Sequence, residues 1–133
     1  MARILVADDD PRVGEAVRAV LSEKGHVVGT VASGEEAVWV VQAKRPDLVI
    51  LDCSMPGLSG VEALRRIRAS AAGFDTPVLM LTARTGTRDE EIAMVAGAND
   101  YLRKPFDPTE LLVVAERLIA KAASRRRAAY ARP

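Results

Sequence analysis

Five apolar runs of strand length, each continuous rather than alternating, limit what this chain can fold into more than any other feature. They lie at 4–7 (ILVA), 27–31 (VVGTV), 48–51 (LVIL) and 78–81 (VLML), with a shorter one around Tyr101 and Leu102. A strand with one wet face alternates apolar with polar residues, whereas an unbroken run is expected of a strand covered on both faces. The segments between the runs have helical period instead. Residues 11–24 place Val13, Val17, Val20 and Leu21 on one side and meet Gly25 as a stop signal. Ser33 and Glu36 form a capping box for a helix that ends before Pro46. Residues 61–70 and 88–96 predict two more, the second closed by Gly97. Residues 108–123 predict the last, carrying Leu111, Leu112, Ala115, Leu118 and Ile119.

Five strands strictly alternating with five helices imply right-handed βαβ crossovers and one parallel, doubly wound α/β sheet. A length of 133 residues suits a single domain with one substantial core. That domain is expected at residues 1–122. Residues 123–133, which include "SRRRAAYARP", lose the pattern and read as a basic C-terminal tail or the start of a linker. About ten residues after the last helix are too few for a DNA-binding module.

Composition removes several function classes. With 49% hydrophobic and 28% charged residues the chain reads as folded rather than disordered. Its 19 Lys and Arg nearly cancel its 18 Asp and Glu, so charge gives no reason to expect nucleic acid or an anionic membrane as partner. A single cysteine excludes a disulfide framework and a cysteine-based zinc site. No apolar run approaches the roughly 18 residues of a membrane helix, and Asp8, Asp9 and Asp10 interrupt the place where a signal peptide is apolar. The expectation is a cytoplasmic protein.

The residues that follow the strands carry the chemistry, because open α/β sheets bind ligands beyond the carboxyl ends of their strands. Asp8, Asp9 and Asp10 follow the first strand, Ser33 and Gly34 the second, Asp52 the third, Thr82 the fourth and Lys104 the fifth. Carboxylates, a hydroxyl and an ammonium thus reach one edge. Clustered carboxylates suit a hard divalent cation, and an oxygen-only site suits Mg²⁺. A carboxylate beside Mg²⁺, flanked by a hydroxyl and a lysine, is equipped to attack phosphorus and become an acyl phosphate. Asp10 reads instead as the N-cap of the helix opening at Pro11.

The stretches "VADDDP", "LVILDCSMPGLSG", "PVLMLTA" and "AGANDYLRKPF", in this order and each on a strand-like run, resemble the receiver domains of bacterial two-component response regulators. The resemblance covers residues 3 to about 121. It implies a flavodoxin-like strand order 2-1-3-4-5, with Asp52 as phosphoacceptor. It further implies Mg²⁺, or Mn²⁺ in its place, held directly by Asp9, through a water by Asp8, and by Asp52 and the backbone carbonyl of Ser54. Thr82, with Ala83 beside it, resembles the switch hydroxyl. Lys104 resembles the phosphoryl-binding ammonium, aimed by a cis Lys104–Pro105 bond, and Tyr101 the rotating aromatic. Ser54 and Arg84 fall where the family tunes acyl-phosphate hydrolysis. The phosphoryl donor implied is a sensor histidine kinase or a histidine phosphotransfer protein. The output implied is a surface of the fourth helix, fifth strand and fifth helix that meets an effector the sequence does not name, with neither nucleic acid nor membrane bound by this domain.

Two rivals stand beside this reading. A haloacid-dehalogenase-type phosphatase also forms an aspartyl phosphate, but neither Asp8 nor Asp52 sits in its D-x-D-x-T context. A receiver-like binding module that is never phosphorylated has no use for Asp9, Asp52, Thr82 and Lys104 together. Elsewhere the plainer readings hold. Cys53 is a small apolar residue opposite Asp52, His26 a surface residue, and Arg125, Arg126 and Arg127 a solvated run. Trp39 points outward from a helix that turns Ala37, Val38 and Val41 inward. The chain also departs from the winged-helix branch of the family, whose receivers pair through cross-subunit salt bridges. Asp100 and Glu110 occupy that branch's acidic positions, but Glu90 and Val114 stand where it offers arginines.

Overall fold

A computed structural model describes residues 1–83 and 87–131. Five parallel strands, β1 (Arg3–Ala7), β2 (Val27–Val31), β3 (Leu48–Asp52), β4 (Val78–Thr82) and β5 (Asp100–Arg103), lie in the order β2-β1-β3-β4-β5. The helices between and after them are α1 (Pro11–Ser22), α2 (Gly34–Lys44), α3 (Gly60–Ala69), α4 (Thr87–Ala96) and α5 (Pro108–Ala131).

The continuous apolar runs have the expected cause. β3 and β4 are buried along their whole length, and successive residues serve opposite faces of the sheet. Leu48, Ile50, Leu79 and Leu81 pack with Val17 and Leu21 of α1 and with Leu111, Ala115 and Leu118 of α5. Val49, Leu51, Val78 and Met80 pack with Ala37 and Val41 of α2, Ala63, Leu64 and Ile67 of α3, and Ala93 of α4. Two helices cover one face and three the other.

Local signals set the helix starts. Asp10 caps α1 by accepting from the Arg12 amide at 3.0 Å, and Ser33 caps α2 by accepting from the Glu36 amide at 3.2 Å. Gly97, at φ +115, closes α4 in the left-handed region that a side chain would resist. The last helix differs from its expected end. It continues to Ala131 rather than stopping near 123, because alanine and arginine are strong helix formers and need no core contact to extend an existing helix. Trp39 is 63% exposed, as its helical position requires.

His26 also departs from expectation. Its side chain is largely covered, Nδ1 accepts the Ala2 amide at 3.1 Å, and Nε2 lies 3.1 Å from Glu116 Oε2. It ties the start of β1 to α5.

Candidate functional site

The parallel register brings the carboxyl ends of β1, β3, β4 and β5 side by side, with Ala7 opposite Leu51, Asp52 opposite Leu81, and Thr82 opposite Arg103. Asp8, Asp9, Asp52, Thr82 and Lys104 all lie at this edge. Carboxylate oxygens of Asp8, Asp9 and Asp52 all lie within 4.8 Å of one another. Asp8 and Asp52 are buried at 5% and 4% exposure, whereas Asp9 faces solvent.

Asp8 is fully engaged. One oxygen accepts the Asp10 amide at 2.9 Å, and the other accepts Lys104 Nζ at 2.7 Å. The same ammonium stands 3.3 Å from Asp52 Oδ1, which also accepts the Ser54 amide at 3.4 Å. Burial, and then the charge of Asp8, push the Asp52 carboxyl above its ordinary range. Burial works against the Lys104 ammonium, but its hydrogen bond to Asp8 and the charge of Asp52 prevail and raise its pKa. Lys104 is anchored through its backbone, whose amide donates to the Thr82 carbonyl at 2.7 Å, and the Lys104–Pro105 bond is cis.

Thr82 shows what the arrangement lacks. Its hydroxyl is buried without a hydrogen-bond partner, the only such side-chain atom among the described residues. A buried hydroxyl is normally paired. At a strand end next to three carboxylates and a lysine, it suits a ligand rich in acceptor oxygens. The donor set around it is all oxygen, which fits a hard divalent cation.

The remaining sequence candidates are placed as follows. Ser54 is exposed on the loop after β3, and Ala83 is exposed directly after Thr82. Tyr101 is half-buried against the α2–α4 side of the core. Arg84 lies outside the described residues. Asp10 caps α1 and pairs with Arg12, away from the cluster. Cys53 is half-buried against the same core side as Tyr101, and burial pushes its thiol up to about 11, which suits a packed and unreactive sulfur.

Three features were not read from the sequence. Glu90, in the middle of α4, is 5% exposed and accepts from Arg103 Nε at 2.7 Å. Its spacing to buried Ala93 is the signal that it faces inward. Arg68 reaches from α3 to the carbonyls of Gly73, Thr76 and Gly97 and to Asn99 Oδ1. Gly60 opens α3 against the backbone of Asp52. Separately, Arg117 of α5 pairs with Asp100 of β5 within the chain.

The family profile described as "Response regulator receiver domain" matches residues 4–116. The DNA-binding response regulator MtrA of Mycolicibacterium smegmatis is 42% identical over 110 residues, which are 83% of this chain and 47% of that protein. The chain therefore spans about half the length of the curated relatives it matches. Among solved structures, the receiver domain of the sensor histidine kinase PA1611 of Pseudomonas aeruginosa, which carries a magnesium ion in its active-site cleft, superposes with a TM-score of 0.84 at 38% identity. The match covers 90% of this chain and 98% of that one. Chemotaxis response regulator CheY4 of Vibrio cholerae superposes with a TM-score of 0.84 at 35% identity, covering 89% and 98%.

Proposed function

As this chain belongs to the response regulator receiver domain family, we propose that Asp52 accepts a phosphoryl group from a phosphohistidine on a cognate histidine kinase or phosphotransfer protein. The observation that carries this reading is the unpaired, buried Thr82 hydroxyl beside Lys104 and the three carboxylates. A phosphoryl group on Asp52 supplies the acceptor oxygens that Thr82 and Lys104 can bind.

An Asp52 carboxylate oxygen forms the bond to phosphorus while the bond from phosphorus to the donor imidazole breaks. Lys104 Nζ, between Asp8 and Asp52, can turn to the phosphoryl oxygens as charge builds on them, and the Thr82 hydroxyl can donate to another of them. Asp8, Asp9, Asp52 and the Ser54 carbonyl would hold Mg²⁺, whose charge offsets that of the carboxylates and of the incoming phosphoryl group. Asp9→Ala should weaken Mg²⁺ binding by at least about tenfold. Asp10→Ala should leave it within about twofold and lower the unfolding midpoint modestly through the lost cap. Metal titration of both variants checks this, and the reverse ranking would assign the wrong ligand. With metal chelated, Asp9→Ala should melt later than the wild type, because three clustered carboxylates repel one another.

The output follows from the face made by α4, β5 and α5. No helix among the described residues is long and apolar enough to cross a membrane, and we take the work of this domain to be cytoplasmic. On that face Glu90 is paired with Arg103 and Asp100 with Arg117, all within one chain. Acidic groups already neutralised at home have little to gain from arginines of a second copy. The domain loaded with beryllofluoride should therefore sediment as a monomer at micromolar concentration. A tight dimer weakened by Asp100→Ala and by Glu110→Ala would contradict this. The partner of this face is then a different protein or another part of a longer chain.

A further inference from the structure

A carboxylate buried in the middle of a short surface helix calls for a reason, and α4 carries one. The residues around Glu90 are exposed or half-exposed: Arg88, Asp89, Glu91, Ile92 and Met94. Only Glu90 and Ala93 of this helix's described side chains are buried, and both face β5 and the sheet. Glu90 meets β5 at Arg103, two residues on from Tyr101 and therefore on the same face of the strand. It accepts from Arg103 Nε at 2.7 Å. The pairing acts on both partners: Arg103 holds the Glu90 carboxyl below its ordinary range, while the carboxylate pushes the Tyr101 phenol up.

The clamped stretch leads straight into the site. Arg103 is the ladder partner of Thr82, and the next residue is Lys104, whose ammonium reaches Asp8 and Asp52. When Asp52 gains a phosphoryl group, the Thr82 hydroxyl and the Lys104 ammonium must turn towards new oxygens. Both are attached to the strand pair that Glu90 holds against α4. Rigid pairing there favours the arrangement in which Lys104 sits on the free Asp52 carboxylate.

We propose that Glu90 is a positioning residue for phosphoryl acceptance: its ion pair with Arg103 latches β5 to α4, and this latch must loosen for Thr82 and Lys104 to engage the phosphoryl group. The proposal rests on the acceptor reading of Asp52 and adds the element that sets how readily acceptance occurs. A latch of this kind taxes binding by the fraction of molecules that are unlatched, so its removal tightens binding.

Beryllofluoride with saturating Mg²⁺ is the probe, its dissociation constant measured by calorimetry beside a urea midpoint for each protein. Glu90→Gln and Arg103→Ala should each lower the midpoint and yet tighten beryllofluoride binding by about three- to tenfold. The double variant should gain no more than either single change. A group that only stabilises the fold would lower the midpoint and leave binding unchanged or weaker. That outcome, in either folded variant, overturns the proposal. Arg103, half-exposed, carries the test alone if Glu90→Gln does not fold. Wild-type protein that binds no beryllofluoride overturns the acceptor reading itself, a result distinct from equal binding in wild type and variants.

Discussion

Gly60→Ala should destabilise the domain by about 3 kcal/mol and slow phosphoryl uptake by tenfold or more, although residue 60 carries no chemistry of its own. Gly60 opens α3 immediately after the loop that follows Asp52, and its amide donates to the Cys53 carbonyl at 3.0 Å. A methyl group there would sit 2.8 Å from the Asp52 carbonyl carbon, closer still to its oxygen, and 3.0 Å from the Cys53 Cα. These are backbone atoms at the end of a fully buried strand and cannot turn aside as a side chain would. Either α3 lifts from the sheet or the end of β3 shifts, and the second outcome moves Asp52, the proposed acceptor, relative to Lys104. Urea unfolding and a labelling time course separate the two effects. A variant as stable and as fast as the wild type would show that the close approach has no such consequence.

Arg68→Ala is expected to have the largest effect of any substitution of a charged residue outside the site, about 2–4 kcal/mol. One guanidinium holds the loop after α3 at Gly73 and Thr76, the turn after α4 at Gly97, and Asn99, whose Oδ1 also accepts the Val78 amide at the start of β4. Truncation removes donors at 2.6–2.9 Å from these carbonyls, of which that of Gly73 still accepts the Thr76 amide at 3.3 Å, at a point where the α3–β4 and α4–β5 connections converge. Lysine offers one ammonium in place of a planar fork, so Arg68→Lys should recover less than half of the loss. Thermal melts of the three proteins check this, and a melt of Arg68→Ala within about one degree of wild type would contradict it. Because Arg68 lies at the opposite edge from Asp52, phosphoryl uptake by the folded fraction should be unchanged.

The difference between what the chain shows as a sequence and what appears only on folding is visible in these residues. Strands β1, β3 and β4 are legible because burial on both faces writes itself as an unbroken apolar run. Asp8, Asp9, Asp52, Thr82 and Lys104 are legible because each directly follows such a run, and a parallel sheet delivers all strand ends to one edge. The cap at Asp10 and the turn at Gly97 are local and could be read in place. Glu90 and Arg68 could not, because their roles depend on partners in other elements: Arg103 for one, and four acceptors on two loops for the other. Charged residues read as solvent-facing until the packing says otherwise. His26 belongs with them, since its partners Ala2 and Glu116 are distant from it in sequence. The helix α5 runs on to Ala131, beyond its apolar pattern, because apolar periodicity marks where a helix touches the core, not where it stops.

The claim on which the rest depends is that Asp52, held in this pocket, is the residue that takes the phosphoryl group. Intact-mass spectrometry after incubation with phosphoramidate and Mg²⁺, followed by borohydride trapping of the acyl phosphate and peptide mapping, tests it most directly. The expected result is one added phosphoryl group, trapped at residue 52, absent from Asp52→Asn and absent when the metal is chelated. Equal labelling of Asp52→Asn, or trapping at Asp8 or Asp9 in the wild-type protein, would contradict it.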